Sequence, residues 1–415
     1  MQSDLDSLML SHGLDALLIS GPGQHNPPMV YLTGGAHLTD AVLIKKRGQP
    51  PVLLHRAMER DEAAATGLQT VDIEANYRMD ELFRQSGGDM RRAAAARLGR
   101  ILSDYDLAAG RVAVYGQMDA GAAFGLFGAL QEALPSLEIV NEWDSTTLQM
   151  AMATKDTDEV ARIRRMGQIT TAVVGHTAEF LASHDVQTDV LVKKDGIPLT
   201  IGDVKEKINL WLAERGAENP KGTIFSIGRD AAVPHTSGNP NDVLRLGQTI
   251  IFDIYPCEAG GGYYYDLTRT WCLGFAPDEA LALYEDVLAA YQAVERELRA
   301  GTPLRNYQEL VCKLFRERGH PTLQENPVTD QGYVHGLGHG VGLYLHQDPF
   351  FRLGTPDSQV LPEGAVVTVE PGLYYPERGL GVRLEDTFWI EPGAAAQPLA
   401  DYPLDLVLPL NKVHG

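Results

Sequence analysis

Between His335 and Glu385 the chain sets histidines and carboxylates at intervals that suit metal chemistry. The run His335-Gly-Leu-Gly-His339-Gly-Val-Gly leads to His346, then Glu370-Pro371-Gly372, and closes on Arg383-Leu384-Glu385-Asp386. Glycine beside histidine can serve backbone conformation alone, so the two strand-like runs behind it carry the weight. Ala365–Glu370 is rich in β-branched residues and ends in a carboxylate, where Pro371-Gly372 breaks it. Gly381–Ile390 alternates, which predicts Arg383, Glu385 and Thr387 on one face and Leu384, Asp386 and Phe388 on the other. Charged groups on a buried face need a partner, and a metal ion would be one.

The same grammar recurs upstream. Gln248–Tyr255 reads as a strand with Asp253 inside an apolar run, and Gly262–Cys272 as a second strand carrying Asp266. Glu258-Ala-Gly-Gly-Gly262 joins them. Two strand pairs, each directing two carboxylates inward, and one imidazole suit two hard or borderline divalent ions. Such ions sit roughly 3.5–4 Å apart and can hold a hydroxide between them. For any one of these carboxylates alone, an ordinary salt bridge is the better reading; for all four together with His339 it is not.

Asp253, Asp266, His339, Glu370 and Glu385, in that order, resemble the five ligands of the metallopeptidase family with the pita-bread fold. That family includes methionine aminopeptidase, Xaa-Pro aminopeptidase and Xaa-Pro dipeptidase (prolidase). The runs around His335, His346, Glu370 and Arg383 are similar to its proline-specific branch, and the resemblance spans about residues 155–410. Two departures stand out. Asp253 and Asp266 are thirteen residues apart where the family has eleven, and Gln347 precedes Asp348 where the branch has Asp directly after the histidine.

The resemblance implies an α/β (α+β) chain: a creatinase/prolidase-like domain over 1–150, then a pita-bread catalytic domain over 155–415. It implies two divalent ions, Mn²⁺ first, with Co²⁺ and Zn²⁺ compatible with the ligand set. Asp266 and Glu385 would bridge, Asp253 would complete one ion, and His339 with Glu370 the other. Glu370 would also relay a proton. An oxygen shared by both ions would lose a proton near neutral pH and attack the Xaa-Pro bond. His235, in the turn-rich loop Val233–Pro240, matches the family's active-site imidazole; read alone it is equally a solvated loop histidine. His335 and His346 would hydrogen-bond the substrate carbonyl.

Arg383 lies two residues before Glu385 on the same predicted face, so its guanidinium should lie near the ions. It could pair bidentately with the carboxylate of a dipeptide; the alternative is a salt bridge to a metal-binding carboxylate. The favoured expectation is Xaa-Pro dipeptide hydrolysis, with Xaa-Pro aminopeptidase activity on longer peptides as the runner-up. A non-catalytic pita-bread binding protein and a metal-free amidinohydrolase of the creatinase type are disfavoured, because the ligand residues are all present. The resemblance also implies a homodimer.

The elements that must position these residues follow from pattern. Asp15–Ser20, Ala41–Ile44, Pro51–His55 and Arg111–Tyr115 read as strands and Arg91–Leu102 as a helix. The Gly-rich stretch 116–128 carries neither G-x-G-x-x-G nor a Walker sequence, which excludes a nucleotide loop. A boundary falls near Leu148–Thr154, with Thr154 as the N-cap of a helix and a second helix over Leu199–Glu218. Pro277–Ala300 and Leu304–Arg318 complete the helices.

The chain has 415 residues, enough for two domains. Lys and Arg number 35 against 55 Asp and Glu, a net charge of −20. That argues against nucleic acid and anionic membrane surfaces as partners. Three cysteines without CxxC spacing point to a reducing compartment. Met1–Ser20 lacks the basic start and unbroken apolar core of a signal peptide, and no apolar run reaches membrane-spanning length. The expectation is the cytoplasm.

Overall fold

The computed structural model describes residues 1–410. They fall into two compact units, Met1–Met152 with Gly260–Gly262, and Ala153–Ala259 with the chain from Tyr263 onward.

The first unit is built on β1 (Ala16–Gly21), β2 (Ala41–Lys46), β3 (Val52–His55), β4 (Gln69–Asp72), α1 (Met90–Asp104), β5 (Gly110–Gly116), α2 (Ala120–Ala133) and β6 (Leu137–Val140). Its six-stranded sheet has the order β4-β3-β2-β1-β5-β6. β1 runs antiparallel to β2 and parallel to β5. Alternate residues Ala16, Leu18 and Ile44 pack against Leu98, Ile101 and Leu102 of α1, the period-two face meeting a helical stripe. The Gly-rich stretch enters α2, capped by the Asp119 carboxylate on Ala122 N at 3.0 Å.

The second unit begins with α3 (Thr157–Ala182) and α4 (Ile201–Ala213). The N-cap of α3 is Asp156, not Thr154. The Asp156 carboxylate accepts from Asp158 N and Glu159 N, and Glu159 reaches back to Asp156 N at 2.9 Å. That capping box satisfies orphan donors reciprocally, which a lone Thr154 could not do. α4 is capped by Thr200 and ends at Ala213, short of the expected Glu218.

The remaining elements carry the site. β7 (Thr223–Ile227), β8 (Thr249–Ile254) and β9 (Leu267–Leu273) come first, then α5 (Asp278–Glu297) and α6 (Leu304–Glu317). They are followed by β10 (Gly338–Gly340), β11 (Gln347–Phe351), β12 (Val366–Val369), β13 (Gly372–Tyr375), β14 (Leu380–Arg383), β15 (Asp386–Trp389), β16 (Gln397–Pro398) and β17 (Val407–Leu408). One sheet has the order β7-β8-β9-β17 and a second β11-β10-β12-β15-β16, while β13 and β14 form a hairpin. α5 and α6 pack their apolar stripes against the core shared with β12, β14 and β15.

The expected single strand Gly381–Ile390 is two strands. β14 pairs with β13 and β15 with β12, so the chain changes partners at Leu384-Glu385. Residues 380–388 are buried throughout, and both faces of this segment meet protein. All three cysteines are free and buried. Among the described residues no helix is long and apolar enough to cross a membrane.

Asp156→Ala removes two accepted hydrogen bonds at the start of α3 and is expected to cost about 1 kcal/mol. In a unit of this size that lowers Tm by about 2–4 °C. Thermal denaturation checks it, and bound metal per chain should not change.

Candidate active site

β8 and β9 are antiparallel, with Asp253 opposite Thr268. Asp266 precedes β9 by one residue, and alternation returns it to the face of Asp253. The second carboxylate pair arises from β12 and β15. Val369 pairs with Asp386, so the next residues outward are Glu370 and Glu385. The two pairs meet at one backbone bridge, where Thr268 N donates to Glu385 O at 3.3 Å and Glu385 N to Thr268 O at 3.1 Å. Thr268 Oγ1 donates to Glu385 Oε2 at 2.7 Å.

His339 enters from β10. A Cβ at Gly338 or Gly340 would fall 2.2 Å from the carbonyl oxygen of Thr368 or Asp348, so only glycine lets the strand approach this closely. His339 Nδ1 lies 3.1 Å from Gly340 O, which assigns the proton to Nδ1 and leaves Nε2 as a lone pair. That lone pair faces Glu370 Oε1 at 3.3 Å and Asp266 Oδ2 at 3.7 Å. Burial, and then the His346 ring, push the imidazole pKa down to about 3, so these contacts are not ion pairs. Lone pairs face lone pairs, an arrangement that repels until a proton or a cation fills it.

The carboxylates tell the same story. Burial raises Asp266 well above the usual carboxylate range, and the charges of Asp253 and Glu370 add to it. Glu385 is raised likewise, by burial and then by Asp266, Glu370 and Asp253. Burial pushes Glu370 up to about 8 against the pull of the Arg383 guanidinium. Within the described residues, Asp253 Oδ1, Asp266 Oδ1 and Glu385 Oε1 are buried without a hydrogen-bond partner. Each such atom costs about 1–3 kcal/mol. Asp266, His339 and Glu385 present ligand atoms all within 4.8 Å of one another. This donor set fits a divalent ion.

Two of the expected site residues already have protein partners. Arg383 is buried and already committed. Nη2 donates to Asp253 Oδ2 at 2.7 Å, Nη1 to Tyr374 Oη at 2.7 Å and Pro234 O at 3.3 Å, and Nε to Thr268 Oγ1 at 3.3 Å. β14 packs beside β8, so the nearest unbalanced charge is Asp253. The salt-bridge alternative is what the structure contains, not a guanidinium free to clamp a substrate carboxylate.

His335 is likewise occupied. Its Nδ1 donates to Gly336 O at 2.7 Å and its Nε2 accepts from Tyr374 Oη at 2.9 Å. Burial, and then Arg383, push its pKa down to about 4. The ring is neutral, with a protein partner on each nitrogen.

His346 packs edge-on against His339 with ring centroids 4.3 Å apart and is itself exposed. His235 is exposed in its loop. Tyr374, Thr268 and Thr368 were missed by the sequence reading. Tyr374 joins His335 to Arg383, and Thr368 Oγ1 accepts from His339 N at 3.0 Å and donates to Glu370 Oε1 at 3.3 Å. The Tyr374 within Glu370-Pro-Gly-Leu-Tyr was the one available signal.

The sequence profile of Metallopeptidase family M24 matches residues 161–392, more than half of the chain. The chain belongs to metallopeptidase family M24. The Creatinase/Prolidase N-terminal domain matches residues 2–142, so a creatinase-type domain precedes the M24 pita-bread domain. The Xaa-Pro dipeptidase of Pyrococcus furiosus is 31% identical over 194 residues, 46% of this chain and 51% of that protein. The Xaa-Pro dipeptidase of Pyrococcus horikoshii is 32% identical over 189 residues, 45% and 50% of the respective lengths. The matches thus span about half the length of these curated relatives. Among solved structures, the X-Pro aminopeptidase from Thermotoga maritima superposes with a TM-score of 0.73 at 20% identity, covering 98% of this M24 chain and 99% of that one. Prolidase from Pyrococcus furiosus gives 0.71 at 20% identity, over 96% and 99%. These likenesses show the fold.

The raised carboxylates predict a pH dependence for the chelated protein. A carboxyl whose folded pKa exceeds its unfolded value binds more protons folded than unfolded between the two, so stability falls as pH rises through that window. For Glu370 the window runs from 4.5 to about 8. The gain in Tm on adding divalent ions to the chelated protein should therefore grow from about pH 5 to about pH 8. A gain independent of pH would contradict the assignment.

Proposed function

We propose that the chain hydrolyses Xaa-Pro peptide bonds, dipeptides first, with two divalent ions held by Asp253, Asp266, His339, Glu370 and Glu385. What carries the reading is the group of buried carboxylate oxygens without partners around a neutral His339. Asp266 and Glu385 would serve both ions, and Mn²⁺ is the first ion to test, with Co²⁺ and Zn²⁺ next. Ions bound there polarise the scissile carbonyl and supply a water that ionises near neutral pH.

The chain's own residues do the rest. Glu370 has the most open of the site's carboxylate side chains, 18% exposed against 11% for Asp253 and 5% for Asp266. From that position it can take a proton from the attacking water and deliver it to the departing proline nitrogen. His235 and His346, exposed and unencumbered by the His335–Tyr374 contacts, are the candidate donors to the developing oxyanion. Arg383 holds Asp253 against the repulsion of the other carboxylates.

Dipeptides come first because the relatives at 31–32% identity are named Xaa-Pro dipeptidases. The likeness to an X-Pro aminopeptidase favours the second reading, release of an N-terminal residue from longer peptides. Product analysis on Ala-Pro beside Ala-Pro-Ala with added Mn²⁺ decides. Faster cleavage of Ala-Pro supports the dipeptidase, and equal rates move the assignment to the aminopeptidase.

Asp266→Ala and Glu385→Ala should each abolish activity; more than about a tenth of the wild-type rate with both ions bound would refute the bridges. His235→Ala should keep its metal and lose about 10²-fold in kcat. A rise in KM alone would place His235 in ground-state binding. Arg383→Ala should lose metal and fall equally on Ala-Pro and its amide. A loss confined to the acid would return Arg383 to the role of substrate clamp.

A further inference from the structure

Behind the carboxylates, on the opposite side of the same strands, lies a buried cluster for which the proposed chemistry has no use. Arg269 follows Thr268 and is 1% exposed. It commits all five of its N–H donors. Nε donates to Pro403 O at 2.9 Å, Nη1 to Thr268 O at 3.0 Å and Glu385 O at 2.8 Å, and Nη2 to Asp386 Oδ1 at 2.9 Å and Tyr402 O at 2.7 Å. The other oxygen of Asp386 accepts from Tyr291 Oη at 2.7 Å.

Two of those acceptors matter most. The carbonyls of Thr268 and Glu385 already form the bridge that joins the Asp253–Asp266 pair to the Glu370–Glu385 pair. That bridge is isolated, with no ladder continuing it between β9 and β15. Thr270 Oγ1 accepts from Arg383 N at 2.9 Å and donates to Arg383 O at 2.8 Å, and Thr387 Oγ1 donates to Asp266 O at 2.7 Å, so side chains tie the segments on either side of the bridge, but none of them touches its two carbonyls. Arg269 adds one donor to each carbonyl from the same nitrogen, which fixes the distance between them. Its charge is balanced locally by Asp386, so it contributes geometry to the site rather than neutralisation.

We propose that Arg269, held by Asp386 and Tyr291, is a positioning residue that sets the spacing of the two carboxylate pairs and so their capacity to hold two ions together. The proposal rests on the metallopeptidase reading above. A lysine in its place keeps the charge but not the planar fork.

The test compares wild type, Arg269→Lys and Tyr291→Phe, with Asp156→Ala as a variant destabilised away from the site. Mn²⁺ binding is measured by equilibrium dialysis, the ion–ion interaction by electron paramagnetic resonance, and Tm on the chelated proteins. Wild type should bind two Mn²⁺ with a coupled-pair spectrum. Arg269→Lys should bind the pair about 10–100-fold more weakly and give the spectrum of separate ions, with Tyr291→Phe at the lower end of that range. Asp156→Ala should lose Tm without either change. If Arg269→Lys does not fold, Tyr291→Phe decides alone by the same criteria. Variants that lose Tm yet bind the coupled pair as wild type does would make the cluster merely structural and overturn the proposal. Wild type that takes up no ion would instead overturn the metallopeptidase reading, and this proposal with it.

Discussion

Four carboxylates buried within reach of one another repel, and the second unit is arranged around that repulsion. Asp253, Asp266, Glu370 and Glu385 come from four chain segments, and no fold gathers them without something positive to hold them. Arg383 is the resident cation, but it reaches only Asp253. Protons supply part of the balance, as the raised pKa values of Asp266, Glu370 and Glu385 record. Divalent ions replace those protons more effectively, because one ion serves several oxygens at once.

The sheet architecture follows from the same constraint. Three of the four carboxylates sit where strands end or change partners, Asp266 before β9, Glu370 after β12 and Glu385 at the break between β14 and β15, while Asp253 lies within β8. At such points a backbone can leave its ladder and aim a side chain between sheets. The arginines divide the work by face. Arg383 answers the charge on the site side, while Arg269 grips the bridge from behind and is neutralised by Asp386.

Much of this was legible in the sequence, and the reasons differ by residue. The gathering of the four carboxylates was readable because each one interrupts or ends an apolar run, a local feature that needs a local explanation. The start of α3 was misplaced at Thr154, although Glu159 three residues after Asp156 is the capping-box signal that picks Asp156. The sequence left Arg383 between two roles, clamp or salt bridge, and could not name its partner or that of His335. Their partners Asp253 and Tyr374 lie 130 and 39 residues away in the chain, and strand alternation says nothing about which distant group fills a face. The break at Leu384-Glu385 was hidden for a related reason: a segment buried on both faces has no polar face to reveal a change of partner.

The central claim is that ions displace protons from a crowded carboxylate cluster. Calorimetric titration of the chelated protein with Mn²⁺ at neutral pH, in buffers of different ionisation enthalpy, measures ion uptake and proton release together. The account predicts two ions bound per chain with at least about one proton released. Two ions bound with no proton release, or no binding at all, would contradict it.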